Sequence, residues 1–590
     1  VIHFHRNLFS ATCAAVFLLP AAAQQPHADA IFFHGDILTG AHLRESDAAK
    51  TPARVTAIAM EQGKVIAVGS DADILKLKTS STQTIDLDGA FAMPGFNDAH
   101  THMANAGKKK LAVDLDGANT LAEAQGRIKT YAATLKPRLW IQGGGWDHTR
   151  WPDKKLPTKA DLDAVTGDHP CVLFRVDEHI VVANSAALAM AGITSATNDP
   201  AGGKIDRDEQ GNPTGIVRER PAYSLIFAKV PPPSMKERRK AMEVAIQDAL
   251  SHGVTSVQDL SDWEDFLALE ELEHTHKLKL RVSEWMDFSL PLPVLEQRRA
   301  SHSSNDELLH LGFLKAYMDG SLGSRTAAME DPYADDPSNS GLPRYDQDKL
   351  NQMSVERTGA GFQLGFHAIG DRANEMALNA FAAAEQVGVP ANHSAPPAHP
   401  DSAIVTTSSK DFTPADLRLR VEHAQVLKPL DFDRYAKLGV IASMQPSHLL
   451  TDMSWAGARL GPERSKYAYA WKSFLDLGVT LAFGTDYPVE AINPFRGLYA
   501  AITRKNEAGT ALFEPQERIS LNEALYAYTQ AAAFAEFREK IRGRLEPGFL
   551  GDMVVLDRDI TKASPEDLLH TKVLRTVVGG ETVYQAGSGK

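Results

Sequence analysis

His100-Thr101-His102 is the pair in this sequence best suited to grip a cation. It follows the apolar run Phe91-Ala92-Met93-Pro94-Gly95-Phe96, with Gly95 and Asp98 flanking the exit from a strand. On an extended backbone residues i and i+2 point to the same side, so both imidazoles reach one metal ion. The motif is weak alone, and the chain supplies its own control. His274-Thr275-His276 sits between Glu270-Glu271-Leu272-Glu273 and Lys277-Leu278-Lys279, a charged helical run. There i and i+2 diverge by about 200° around the helix, so that pair reads as solvated surface.

Four further residues follow in order at the ends of apolar strands. Lys315 lies inside Phe313-Leu314-Lys315-Ala316-Tyr317-Met318-Asp319-Gly320. A lysine there is costly unless it is paired or chemically changed. Burial strips its proton, and a neutral amine captures carbon dioxide to form a carbamate whose two oxygens can bridge two divalent cations. The alternative is a salt bridge to Asp319 or another carboxylate. His367 ends Leu364-Gly365-Phe366-His367, and His423 ends Arg420-Val421-Glu422-His423. A lone histidine in such a place is more often a satisfied core residue than a ligand; two at matching strand ends, joined to an upstream HxH, reverse that expectation. Asp486 follows Leu481-Ala482-Phe483-Gly484-Thr485, where it can ligate metal and handle a proton, or simply cap a helix or turn.

The elements that carry these residues alternate apolar strands with helical patterns, the signature of βα units and a parallel sheet. Clear strands are expected at 312–318, 363–367, 419–423, 440–444 and 479–484. Upstream candidates lie near Phe91–His100, Leu139–Gly143, Val254–Asp259 and Lys279–Met286. Nine candidates are one too many for an eight-stranded barrel. Both chain ends are different: short strands with turn residues at 28–88 and again from Asp552 predict one small β-sandwich built from the two termini. Residues from about Trp146 to Pro233 interrupt the alternation with turn signals such as Gly202-Gly203 and Gln210-Gly211-Asn212-Pro213, and are expected to form a cap over the barrel mouth. Asn392 to Pro414, rich in Ser, Thr, Pro and Ala, reads as a surface loop. The organisation expected is an α/β chain: a signal peptide at 1–23, a composite β-sandwich from 24–93 with 543–590, and a (β/α)8 TIM-type barrel over 94–542 with the cap inserted at about 146–233.

Composition narrows the classes. With 62 basic against 75 acidic residues the net charge is −13, and no basic face is visible, so nucleic-acid binding is not expected. Cys13 and Cys171 are the only cysteines, which excludes a disulfide framework and a CxxC zinc site. Arg6, the short apolar stretch Leu8 to Leu19 and the small residues Ala21-Ala22-Ala23 read as a secretory signal. The stretch falls short of the ~20 residues of a spanning helix. The expected mature product is a periplasmic or secreted enzyme with no membrane attachment after cleavage, and homo-oligomerisation is open.

The ordered set, with Met93-Pro94-Gly95-Phe96-Asn97-Asp98-Ala99-His100-Thr101-His102 at the first strand, resembles the amidohydrolase superfamily. It is most similar to the branch that contains N-substituted formamide deformylases and exoenzyme-regulatory proteins. Gly144-Gly145-Trp146-Asp147, Asp319-Gly320-Ser321-Leu322-Gly323-Ser324, His367-Ala368-Ile369-Gly370-Asp371, Glu422-His423-Ala424, Gln445-Pro446 and Gly484-Thr485-Asp486-Tyr487-Pro488-Val489 carry the resemblance across nearly all of 28–585. It implies a metal-bearing barrel beside a small β-sandwich. It also implies ligation by His100, His102, His367, His423 and Asp486, with Lys315 carboxylated and bridging two divalent ions, zinc by default. One departure stands out: the branch often has Asp-Gly-His in the cap, and here Asp177-Glu178-His179 puts Glu178 in the glycine's place.

At such a site water loses a proton near neutral pH and attacks a polarised carbonyl. Asp486 takes that proton and returns it to the leaving group. Trp146, His179, Asn184, Arg325, Gln445 and Tyr487 are candidate contacts to a small-molecule substrate, with packing or ion pairing as the alternative for each. The expected activity is hydrolysis of a non-peptide C–N bond in an amide, formamide or N-acyl compound. Ester or lactone hydrolysis at the same metal, and a non-enzymatic extracytoplasmic binding protein, are the alternatives.

Overall fold

The computed structural model describes residues 27–44, 53–303, 306–387 and 417–587. The signal-like segment 1–23, with Cys13, and the stretch 392–414 lie outside the described residues.

Eight parallel strands form the central sheet: β1 (Phe96–Thr101), β2 (Val254–Leu260), β3 (Arg281–Asp287), β4 (Leu309–Tyr317), β5 (Leu364–Ala368), β6 (Arg420–His423), β7 (Ile441–Met444) and β8 (Leu481–Phe483). They hydrogen-bond in sequence order from β1 to β8. A parallel bridge between Thr101 and Tyr487 joins the last strand's exit to the first, which closes a (β/α)8 barrel. Strands covered on both faces should read as continuous apolar runs, and every residue of β1, β6, β7 and β8 is buried. Helices return the chain between strands; Met235–Ser251, for example, starts at a capping box in which Ser234 and Glu237 satisfy each other's backbone N–H groups.

The surplus strand candidate belongs elsewhere. Ile141–Trp146 pairs with Cys171–Arg175 and with Val113–Asp114 in a separate six-stranded sheet that also holds Ile180–Ala183, Lys204–Arg207 and Pro213–Arg218. Its glycines are the reason it fits there: a Cβ on Gly143, whose φ is +142°, would stand 2.1 Å from the Val113 carbonyl oxygen. This excursion from the barrel therefore starts its pairing at Val113, ahead of the turn-rich region from Trp146.

The two chain ends meet in a pair of packed sheets. One has four strands, Ala30–Phe33, Ala57–Glu61, Lys64–Gly69 and Gln83–Asp86. The other has six and mixes Asp36–Leu38, Arg54–Val55 and Phe91–Pro94 with Met553–Leu556, Val573–Val578 and Glu581–Gln585. Phe32, Ile58 and Ile85 from the first sheet share one apolar core with Ala92, Met553, Val555 and Val577 from the second. Phe91–Pro94 runs almost directly into β1, so the sandwich is anchored at the strand that carries the HxH pair. Among the described residues no helix is long and apolar enough to cross a membrane.

Candidate metal centre

The six residues singled out at strand ends converge at the C-terminal end of the barrel. The His100 ring lies 5.5 Å from that of His102 and 5.0 Å from that of His423, and His367 lies 4.4 Å from His423, centroid to centroid. Asp486 Oδ1 is 3.2 Å from His102 Nε2 and 3.6 Å from His100 Nε2. Lys315 Nζ is 3.1 Å from His100 Nε2. Backbone contacts between β1 and the exit of β8 fix this arrangement: Asp486 N donates to the His100 carbonyl, and His102 N to that of Tyr487. Asp98 binds both sides, accepting from Thr485 N, Thr485 Oγ1 and His100 N. A Cβ on Gly484 would come within 2.6 Å of His100 N, so glycine is what lets the two strands approach. His423 and Asp486 both have positive φ, 73° and 57°; backbone strain of about 1–3 kcal/mol per residue is the kind held at sites whose geometry matters more than local comfort.

Each of the four histidines has one ring nitrogen tied to an outside acceptor. His100 Nδ1 meets Glu422 Oε2 at 2.8 Å, His102 Nδ1 the Leu260 carbonyl at 3.2 Å, His367 Nε2 the Gly320 carbonyl at 3.0 Å, and His423 Nδ1 Gln445 Oε1 at 2.7 Å. Those acceptors take the ring proton and leave a lone pair on the opposite nitrogen, the arrangement of a metal-binding imidazole with its orienting partner. The freed Nε2 atoms of His100 and His102 then face the Asp486 carboxylate, acceptor against acceptor. Only a cation or a proton between them makes that arrangement favourable, so the donor set suits a divalent ion.

The protonation states agree. Burial, reinforced by the Lys315 charge, brings His100 down to about 4 and His367 to about 3; burial and the His367 ring depress His423 well below its usual range. These imidazoles are neutral at neutral pH. Burial alone would raise Asp486, yet the surrounding histidines hold it well below the usual carboxylate range. Burial also brings Lys315 down to about 8. Lys315 lies between the Trp285 and Tyr317 rings, about 5 Å from each centroid, and among the described residues no carboxylate sits at ion-pair distance from it. The alternative of a salt bridge to Asp319 is not realised. Asp319 instead accepts from the backbone N–H groups of Ala328, Ile369 and Gly370.

The expected substrate contacts divide. Gln445 does reach the cluster, as the partner of His423. Trp146 is buried in the cap core, its Nε1 donating to the Leu173 carbonyl and its ring beside Trp151. Asn184 is buried as a helix cap: its amide donates to Thr166 Oγ1 and the His169 carbonyl and accepts from Cys171 N and Ala187 N. It has nothing left for a substrate. Tyr487 turns its hydroxyl to Asp248, at 2.7 Å. Arg325 pairs with Asp335 through two nitrogens, the structural alternative weighed from sequence. His179 is exposed and meets Glu219 at 3.1 Å. For Trp146, Asn184 and Tyr487 the reason is the same: a large or amide side chain near a strand end finds a buried backbone or carboxylate partner first. His274 and His276 are exposed, as expected. Cys171 is fully buried.

Two participants escaped the sequence reading. Glu422 precedes His423 on β6, and a charged residue in a fully buried strand was the available signal. His448, three residues beyond Gln445, opens the short helix His448–Asp452 after β7, with Nε2 3.7 Å from Asp486 Oδ2. Its only sequence cue was its place beside Gln445-Pro446.

The sequence profile of the amidohydrolase family matches residues 83–584. The chain belongs to the amidohydrolase family. The protein Long After Far-Red 3 of Arabidopsis thaliana is 33% identical over 89% of this chain and 88% of its own length. A putative amidohydrolase, YtcJ, of Bacillus subtilis is 31% identical over 90% and 96%. The N-substituted formamide deformylase of Arthrobacter pascens is 25% identical over 93% and 98%. Among solved structures, an uncharacterised metal-dependent hydrolase from Pyrococcus horikoshii superposes with a TM-score of 0.72 at 27% identity, covering 94% of this amidohydrolase and all of the archaeal chain. Fold, donor set and relatives agree on a metal-dependent hydrolase.

Proposed function

We propose that this amidohydrolase cleaves a non-peptide C–N bond in a small amide, formamide or N-acyl compound. The observation that carries the reading is the set of ring nitrogens of His100, His102 and His423 gathered around an ionised Asp486, with the His367 ring packed against His423. In the proposal His100, His102, His367, His423 and Asp486 would hold divalent metal, two ions and zinc by default, and Lys315, as a carbamate, would supply the ligand shared between them. The neutral Nζ lone pair would attack the carbon of carbon dioxide, one C=O π pair moving to oxygen as the N–C bond forms, and an N–H bond breaks with its proton passing to water. The ions, when bound, acidify water and polarise a carbonyl oxygen.

The chain's own residues do the rest. Glu422, Gln445 and the carbonyls of Leu260 and Gly320 hold the four rings in register, so that no reorientation is needed during reaction. Asp486, ionised and buried, takes the proton that water gives up and delivers it to the departing nitrogen. The name of the Arthrobacter pascens relative supports the amide class over the ester class. We propose export by residues 1–23 as well, tested by cell fractionation of the full chain.

The test is elemental analysis of purified protein followed by matched amide and ester panels, formamides included. Expected are bound divalent metal, turnover of an amide, loss with a chelator and recovery on adding metal back. Turnover of esters alone reassigns the activity to ester or lactone hydrolysis. A loaded centre with no rate on any acyl substrate favours a binding protein.

A further inference from the structure

His448 brings an unpartnered nitrogen to the edge of the centre. Its Nε2 is sealed from solvent and has no hydrogen-bond partner. Burying an imidazole nitrogen without a partner costs about 1–3 kcal/mol, whereas Asn184 and Tyr487 have their polar atoms satisfied. The atom is aimed at the cluster: it lies 3.7 Å from Asp486 Oδ2, and the ring runs parallel to that of His423, 13° between planes and 5.9 Å between centroids. Asp486 divides its oxygens accordingly, Oδ1 toward His100 and His102, Oδ2 toward His448.

One ligand atom each from His423, His448 and Asp486 falls within a 4.8 Å sphere of mutual distances, and so does one each from His100, His102 and Asp486. Donors around a tetrahedral zinc at about 2.0–2.1 Å stand about 3.3–3.5 Å apart, so closing either set takes roughly an ångström of adjustment. The short helix that carries His448 is tied to the cluster already. His448 N donates to the Gln445 carbonyl, and the Gln445 side chain holds His423 Nδ1. The partner that orients one imidazole thus comes from the turn that delivers the other.

We propose that His448 is a metal ligand, completing with His423 a cation position on the β6–β7 side of the centre, distinct from the position served by the HxH pair. The inference rests on the metal-hydrolase reading above, and the experiment separates the two. Zinc binding is titrated against a chromophoric chelator in the wild-type protein, His448→Ala, His448→Gln and His102→Ala, and visible spectra of the cobalt-substituted forms are recorded. Both His448 variants are expected to weaken one zinc equivalent by at least tenfold, to leave the other unchanged, and to alter the cobalt band intensity. His102→Ala is expected to weaken the other equivalent. The glutamine variant keeps size and polarity at the start of a short helix, so the measurement does not depend on the alanine variant folding. Zinc affinity and cobalt spectra equal to wild type in His448→Gln overturn the ligand role, including the case in which only KM for a substrate changes. A wild-type protein that takes up no zinc or cobalt overturns the metal-hydrolase reading itself.

Discussion

His100 Nδ1 lies 2.8 Å from Glu422 Oε2, and both side chains are wholly buried. Glu422 is itself clamped by Arg420, whose guanidinium also reaches Gln258, Ser443 and the Ala99 carbonyl. Burial would raise the Glu422 carboxyl, but Arg420 and His100 bring it down to about 2. An ionised acceptor thus fixes the His100 tautomer from inside the barrel.

Replacing Glu422 by glutamine leaves Arg420 buried without its countercharge. Loss of one member of a buried pair costs about 3–5 kcal/mol, and loss of a ligand's orienting partner about 10–100-fold in metal affinity. Thermal unfolding and zinc titration of Glu422→Gln should show both deficits; wild-type metal affinity in a folded variant would remove Glu422 from the centre.

Asp486→Asn preserves shape and removes the proton acceptor. We expect kcat to fall by about 10²-fold or more with the circular dichroism spectrum unchanged. Near-normal turnover would assign the proton step to another group.

The proposed Lys315 carbamate would have a pH signature. Only the neutral amine adds carbon dioxide, and Nζ titrates at about 8, so the neutral fraction is a minority at pH 7 and a majority at pH 9. At fixed carbon dioxide pressure, reloading of metal-stripped protein should speed up as pH rises across that interval, and labelled carbon dioxide should give a carbamate resonance absent from Lys315→Ala. Metal reloading that ignores carbon dioxide would refute the bridge.

Asn184 and Glu178 test the cap. Asn184→Ala removes a helix cap and strands buried N–H and C=O groups, a cost of about 2–3 kcal/mol; denaturant unfolding should show it, while KM for any substrate stays unchanged. Glu178 has φ of +59°, the left-handed region where a side chain costs about 1–2 kcal/mol and glycine is at ease. Glu178→Gly should therefore stabilise the protein, by about 0.5–1 kcal/mol after glycine's added chain entropy. A lower melting temperature would contradict it.

The metal-site candidates were legible because strand ends and residue type specify them together: an imidazole or carboxylate closing an apolar run has few structural uses. The barrel was legible for the same reason, through alternation of strands and helices. Leu139–Gly143 misled because a short apolar strand has the same local pattern in any sheet; what sends it to the cap is close backbone contact with Val113, a partner nearly thirty residues away. Trp146, Asn184 and Tyr487 sit beside motif residues but spend their polar atoms elsewhere, and side-chain direction is set by packing that neighbouring letters do not encode. His448 was invisible for the opposite reason. It is an ordinary histidine at the start of a short helix until the chain folds it over Asp486.

The strand Phe91–Pro94, which leads into the HxH pair, is hydrogen-bonded antiparallel to Met553–Leu556. During synthesis the first ligands therefore emerge more than four hundred residues before the segment that seats them. A nascent or truncated polypeptide lacking its last portion holds every candidate ligand yet leaves the root of β1 unzipped. Seating of the HxH pair therefore waits on the pairing of Met553–Leu556 with Phe91–Pro94, a contact that spans most of the barrel's sequence.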